Sequence, residues 1–269
     1  MSDLAIIAGN GGLPAELHRR QPDAALFALE GFGVGLPATP FRLERLVPFL
    51  DGLTEQGIRR VCFAGAIQRP RLDPEMFDNR TATLVPRILA AMQSGDDGAL
   101  REVIAVFEEW GMQIVAASDI APDLVPGDAV LTGEPSARDQ QDAARAKGIV
   151  QALGALDIGQ GAVVSAGLCI AVETLPGTEA MLAFVAQHTP KGGVLFKAPK
   201  PRQDLRIDMP AIGPETITQA QAAGLTGIAF QAGGVLLLER DEVIRRAQTA
   251  GISLWGITDA GAEGLSDRG

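Results

Sequence analysis

Basic residues are outnumbered in this chain: 23 lysines and arginines stand against 33 aspartates and glutamates, for a formal charge of −10. A surface with that balance repels nucleic acid and anionic lipid in bulk, which argues against a DNA-binding role or a polybasic membrane anchor. Cysteine and histidine are scarce. Cys62 and Cys169 each sit in an apolar run (VCFAG, GLCIAV), so both read as buried thiols of a reducing compartment. There is no CxxC, and His18 and His188 are the only histidines, which leaves no ligand set for a structural zinc. No run approaches the about 18 apolar residues that span a bilayer. The start MSDLAIIAGN lacks the basic segment and long apolar core of a secretory leader. The expectation is a soluble, cytoplasmic protein. A chain of 269 residues can bury a large core without disulfide staples.

Short apolar runs alternate with helical stretches. Runs 4–8, 24–29, 60–64 and 113–116 read as strands, and 14–20, 43–56, 81–93 and 98–111 as helices between them. That alternation predicts an α/β fold with a Rossmann-like parallel sheet covered on both faces. Residues 121–135 (APDLVPGDAVLTGEP) are rich in proline, glycine and acids and read as a connection. The expected division is an N-terminal domain over 1–125, a linker over 126–135 and a C-terminal α/β domain with a mixed sheet over 136–269. In the second part Ser136 suits the N-cap of a helix that reaches residue 156 and exposes Lys147. Pro214 and Gly224 suit the two ends of a later helix.

Several stretches carry chemistry. Gly9-Asn10-Gly11-Gly12-Leu13-Pro14 follows a strand and opens a helix, so backbone N–H groups there can face an anion. The turn is not GxGxxG, and a plain tight turn explains it equally well. Gly65-Ala66-Ile67-Gln68-Arg69-Pro70 follows the third strand, at the end where parallel sheets hold ligands, so Gln68 and Arg69 can meet a base or a phosphate; a surface loop before a proline explains the stretch slightly better. Asp96 and Asp97 can hold a hard cation or cap the helix that follows. Lys191, Lys197, Lys200, Arg202 and Arg206 fall within residues 191–206 beside one acid, Asp204. In so acidic a chain this clustering points to a diphosphate pocket rather than a solvated loop. Asp208 follows at once, placed to bind a metal or orient a water. Asp157-Ile158-Gly159-Gln160 leaves a helix for a strand, and Thr178 suits an N-cap beside Glu173 and Glu179.

The order IAGNGGLP, GAIQRP, GDDGALR, DIGQGAVV, AVETLPGTEAML, VLFKAPKPRQDLRIDMPAIGP and GLTGIAFQAGG resembles the UDP-2,3-diacylglucosamine diphosphatase family of lipid A biosynthesis, of the LpxI type. The resemblance spans nearly the whole chain. It implies hydrolysis of a lipid-linked nucleotide sugar, UDP-2,3-diacylglucosamine, to 2,3-diacylglucosamine 1-phosphate (lipid X) and UMP. It also implies a divalent metal, Mg2+ or Mn2+, attack at the α-phosphate, a site between two domains, and transient contact with the cytoplasmic face of the inner membrane. Asp208 matches the aspartate on which that family's catalysis depends. The chain departs from the pattern at Ala66-Ile67-Gln68, where a lysine is frequent, and at Arg202, where glycine is usual.

The candidate substrate-binding residues are thus Gly11, Gly12, Leu13, Ala66, Gln68, Arg69, Asp96, Gln160, Thr178, Lys197, Lys200 and Gln203. Asp208 is the candidate catalytic residue, and Asp208 with Asp204 the candidate metal ligands. A nucleotide-sugar-binding protein or a lipid carrier without hydrolase activity is the competing expectation, and release of UMP separates them. The sequence leaves a homodimer open and predicts no nucleic-acid partner.

Overall fold

The structure is a computed structural model that describes residues 2–32, 35–67, 72–92, 96–188, 191–201 and 203–258. The side chains of 91, 92, 96, 97 and 99 lie outside the description. The chain divides into two compact units, one of residues 1–122 with 204–208, the other of 123–203 with 209–269.

The first unit runs β1 (Leu4–Ala8), α1 (Leu13–Arg20), β2 (Ala25–Leu29), β3 (Thr39–Phe41), α2 (Leu46–Glu55) and β4 (Arg60–Ala64). It continues with α3 (Asn79–Ala82), α4 (Val85–Met92), α5 (Asp96–Glu109), β5 (Gln113–Ile114) and α6 (Ala117–Ile120). The strands form one all-parallel sheet in the order β3-β2-β1-β4-β5. In β1 all five residues are buried, as expected of a central strand covered on both faces. Ala5 and Ile7 join Phe27, Val61, Leu50, Leu53 and Phe107 on the side of α2 and α5. On the other side α1 and α6 lie against β1 and β4. The expected helix over 81–93 is two helices, because Pro86 has no N–H to extend the first and is tolerated in the opening turn of the second. The strand β3 escaped prediction because three residues around Pro40 show no periodicity.

The second unit runs β6 (Val130–Thr132), α7 (Ala137–Gly154), β7 (Gly161–Ser165), β8 (Leu168–Val172), α8 (Gly177–His188) and β9 (Val194–Lys197). It ends with β10 (Ala211–Ile212), α9 (Pro214–Ala222), β11 (Gly227–Gln231), β12 (Leu236–Leu237), α10 (Arg240–Ala250) and β13 (Ser253–Ile257). A mixed sheet has the order β6-β13-β11-β9-β7-β8, and β10 and β12 pair separately. β9, β11 and β13 are parallel. β7 runs against both β9 and β8, so β8 points the same way as β9. Alternation along β7 sends Val163 to the side of α8, α9 and α10, and Ala162 and Val164 to the side of α7. The stretch expected as a linker contains β6, an edge strand antiparallel to β13. Val130 is exposed there, which an edge allows and a central strand would not.

Two side chains lie elsewhere than expected. Cys169 is exposed, not buried, because its apolar run forms the edge strand β8, whereas Cys62 is fully buried and its thiol is pushed up to about 12 by desolvation. Lys147 is buried, not exposed, and its ammonium donates to the carbonyl of Thr258 at 2.7 Å. It shares the core face of α7 with Asp139 and Asp142. Ser136 and Asp139 cap the helix reciprocally, and Asp139 also accepts from the Thr226 hydroxyl at 2.7 Å, just before β11. Asp142 accepts from the N–H groups of Ala166 (3.0 Å) and Gly167 (2.7 Å). Those two residues form the β7–β8 turn with φ of 52° and 77°, so the carboxylate compensates a conformation that alanine disfavours.

Candidate functional site

In the first unit the carboxyl ends of β1 and β4 lie side by side at the centre of a sheet whose strand order reverses between them. In open parallel sheets this is where ligands bind. The two turns leaving these strands interlock through backbone alone. Asn10 N–H donates to Ala66 O at 2.8 Å, and Ala66 N–H returns to Asn10 O at 2.9 Å. A Cβ on Gly9 would stand 2.6 Å from Ala66 O, and one on Gly65, whose φ is +88°, would stand 2.5 Å from Asn10 O. Glycine is required at both. Gly11, Gly12 and Ala66 are exposed at this end, and Leu13 is buried as the first residue of α1. The helix begins at Gly12 with no side chain capping it, so its first amides and the positive end of its dipole suit an anion. Gln68, Arg69 and the side chain of Asp96 lie outside the described residues.

Residues 204–208 belong to this unit and form a turn in which Asp208 N–H donates to Asp204 O at 3.2 Å. Arg206 grips both oxygens of Asp204, with Nη2 2.7 Å from Oδ2 and Nε 3.0 Å from Oδ1. Its Nη1 reaches Glu108 at 2.9 Å. The bond to Arg206 holds the Asp204 carboxyl below the usual carboxylate range, and the same bonds push the guanidinium up. Asp204 therefore acts first as an ion-pair partner. Asp208 is half-buried at the end of the turn.

The second unit gathers the remaining candidates at the edge where β8, β9, β11 and β13 end and β7 begins. Lys197, the last residue of β9, is buried. Its ammonium donates to Thr178 Oγ1 at 2.8 Å and to Ala211 O at 3.2 Å. Thr178 in turn donates to Glu173 Oε2 at 2.7 Å, and that oxygen is 3.9 Å from the ammonium. Thr178 lies inside α8, so it does not cap the helix as expected; its hydroxyl links the half-buried Glu173 to the buried Lys197. Gly161 keeps this site open, because a Cβ there would be 2.9 Å from Glu173 Oε2.

Beside it, Gln203 is buried and its Oε1 accepts from Lys200 N–H at 2.8 Å and from Gln160 Nε2 at 3.0 Å. Gln160 O accepts from Ala198 N–H at 3.0 Å. The Lys200 ammonium is paired with Asp157. Gln160, Gln203 and Lys200 thus form one hydrogen-bonded cluster, and Thr178 and Lys197 another. Arg202 lies outside the described residues. The sequence noted Asp157 and Glu173 without assigning them; the structure makes them the counter-charges of the two lysines. No local signal gives that, since the pairs are made by sheet register.

Among the described residues, no three carboxylate, imidazole or thiol groups gather at one point. Asp208 offers oxygen donors of the kind a hard cation takes, whereas both oxygens of Asp204 are engaged by Arg206. Also among the described residues, no helix is long and apolar enough to cross a membrane.

A five-stranded parallel sheet opened by a glycine turn, and a second, mixed six-stranded sheet, define a protein of two α/β units. Comparison with known families is more specific. Residues 3–124 match the LpxI N-terminal domain and 127–255 the LpxI C-terminal domain. The chain belongs to the LpxI family. It is 36% identical over 274 residues to the UDP-2,3-diacylglucosamine pyrophosphatase LpxI of Caulobacter vibrioides, across 96% of this chain and 98% of that protein.

Proposed function

We propose that this chain hydrolyses UDP-2,3-diacylglucosamine to UMP and 2,3-diacylglucosamine 1-phosphate at the cytoplasmic face of the inner membrane, touching the bilayer transiently. The observation that carries the reading is the match to both family domains together with 36% identity along nearly the full length of a pyrophosphatase. In the reaction a water oxygen bonds to the α-phosphorus. The bond from that phosphorus to the bridging oxygen breaks, and the bridging oxygen leaves with the β-phosphate and its sugar.

The residues have distinct parts in this reading. The amides at Gly11, Gly12 and Leu13 hold a phosphate oxygen by helix dipole and backbone N–H. Lys197 and Lys200 offset the charge of the diphosphate, and Thr178, Gln160 and Gln203 fix the two ammonium groups and the backbone that carries them. Asp208 takes the proton of the attacking water or orients that water. Asp208 would be the residue to hold Mg2+ or Mn2+, which would supply positive charge to offset that of the diphosphate.

The test is to incubate the chain with UDP-2,3-diacylglucosamine and Mg2+ or Mn2+ in 18O-water. UMP and lipid X appear, and the heavy oxygen enters UMP. Label in the lipid phosphate would move the attack to the β-phosphorus. Binding without any UMP release would favour the carrier.

A further inference from the structure

The two lysines at the sheet edge have counter-charges of different kinds. Glu173, with 12% of its side chain exposed, accepts from Thr178, and stripping it from the buried Lys197 would leave an uncompensated ammonium in the interior. Asp157 has 38% of its side chain exposed, against 12% for Lys200. Pairs that face water in this way are weak and easily exchanged.

The backbone of Asp157 adds an independent observation. Helix α7 ends with Ile158 N–H bonded to Leu153 O and Asp157 N–H bonded to Gly154 O, each at 3.0 Å. This is the Schellman arrangement, and Asp157 stands at its left-handed position, where glycine is favoured, with φ of 61°. An aspartate there bears a strain that glycine would not. What aspartate supplies at that position, and glycine cannot, is the carboxylate on Lys200.

We propose that Asp157 is a positioning residue that stands in for the ligand's phosphate: its carboxylate holds the Lys200 ammonium at the sheet edge until a phosphate group displaces it. This rests on the reading of Lys200 as a phosphate ligand. The incoming group is of the same kind, anionic oxygen, but carries more charge and more acceptors than one carboxylate. A phosphate wins the exchange, whereas a singly charged ligand gains little over the resident acid. Asp157 thereby sets a threshold of charge for occupancy of Lys200.

The experiment is calorimetric titration of the full chain with UDP, with substrate kinetics alongside. Asp157→Asn and Asp157→Gly remove the resident charge, so Kd for UDP falls about threefold, the scale of an exposed pair. KM falls with it while kcat does not rise, and Asp157→Gly also melts higher than wild type through relief of strain. Lys200→Ala weakens UDP, and in its background Asp157→Asn no longer tightens binding. Unchanged or weaker UDP binding by both Asp157 variants, with wild-type-like melting of Asp157→Asn, overturns the proposal. So does a gain that persists without Lys200, which marks bulk electrostatics. Failure of the underlying reading looks different: Lys200→Ala then binds UDP as wild type does.

Discussion

The two sheet edges solve the same problem with different materials. The first unit builds its edge from backbone: two glycine turns tied by reciprocal amide bonds, an uncapped helix start, and no charged side chain in residues 9–15. The second builds its edge from side chains, with lysines, acids, amides and a hydroxyl that satisfy one another. A backbone site has fixed dipoles and needs no partner before the ligand arrives. A lysine site must carry its own counter-charge meanwhile, because an ammonium held out of water alone is costly. The first is therefore vulnerable to added bulk, and the second to changed charge.

The contrast breaks most sharply at Asp208, the candidate catalytic side chain, which lies in the first unit. Asp208→Ala is expected to fold, to bind UDP, and to lose roughly 10²-fold or more in kcat. A folded variant with normal UMP release would remove Asp208 from the chemical step.

Next come the lysines. Lys197→Ala and Lys200→Ala should each lower kcat/KM by about 10- to 100-fold, as loss of a charge-assisted contact does. Lys191→Ala, an exposed neighbour, should stay near wild type. Lys147 is no control, because it is buried and bonded to Thr258. Three equal kcat/KM values would dissolve the pocket. Lys197→Ala should also lower Tm through Glu173, and Lys200→Ala should not.

The first unit is sharpened by a methyl group. Gly9→Ala sets a Cβ against Ala66 O and should destabilise by about 1–3 kcal/mol, read from urea midpoints. Gly52→Ala, in α2 with open space around it, should be neutral or slightly stabilising. Equal midpoints would mean that the turns are not locked.

The smallest effect is electrostatic. Asp204 is held below the usual carboxylate range by its bond to Arg206, so the unfolded chain takes up its proton first on acidification. Its contribution is complete above the unfolded value and is lost as pH falls through the lower folded value. Asp204→Asn should be less stable at pH 7 by no more than about 1 kcal/mol, the pair being partly exposed, and the gap should close toward pH 2. A gap that widens in acid contradicts the assignment.

Much of this was legible in the sequence, for reasons particular residues show. Runs such as LAIIA, buried throughout, and RVCFA, buried at Val61, Cys62 and Ala64, are five-residue strands that fold where expected. The Ser136 cap is local chemistry, and it stands. What failed was whatever depends on distant partners. Lys147 reads as a surface charge because nothing near it in sequence announces the Thr258 carbonyl. Thr178 reads as a cap because its tie to Lys197 exists only once β9 lies beside the start of α8. Cys169 reads as core because an edge strand and a central strand share the same apolar letters.

The charged core face of α7 has a consequence for how the second unit opens. Asp142 grips the β7–β8 turn, Asp139 the approach to β11, and Lys147 the exit from β13. Three connections that in most sheets fray independently are fastened to one helix. Amide protons at Ala166 and Gly167, in an exposed hairpin tip, should then exchange with solvent no faster than those within α7. The helix thereby ties both ends of the sheet, the β7–β8 turn and the approach to β11 at one end and the exit from β13 at the end that carries Lys197.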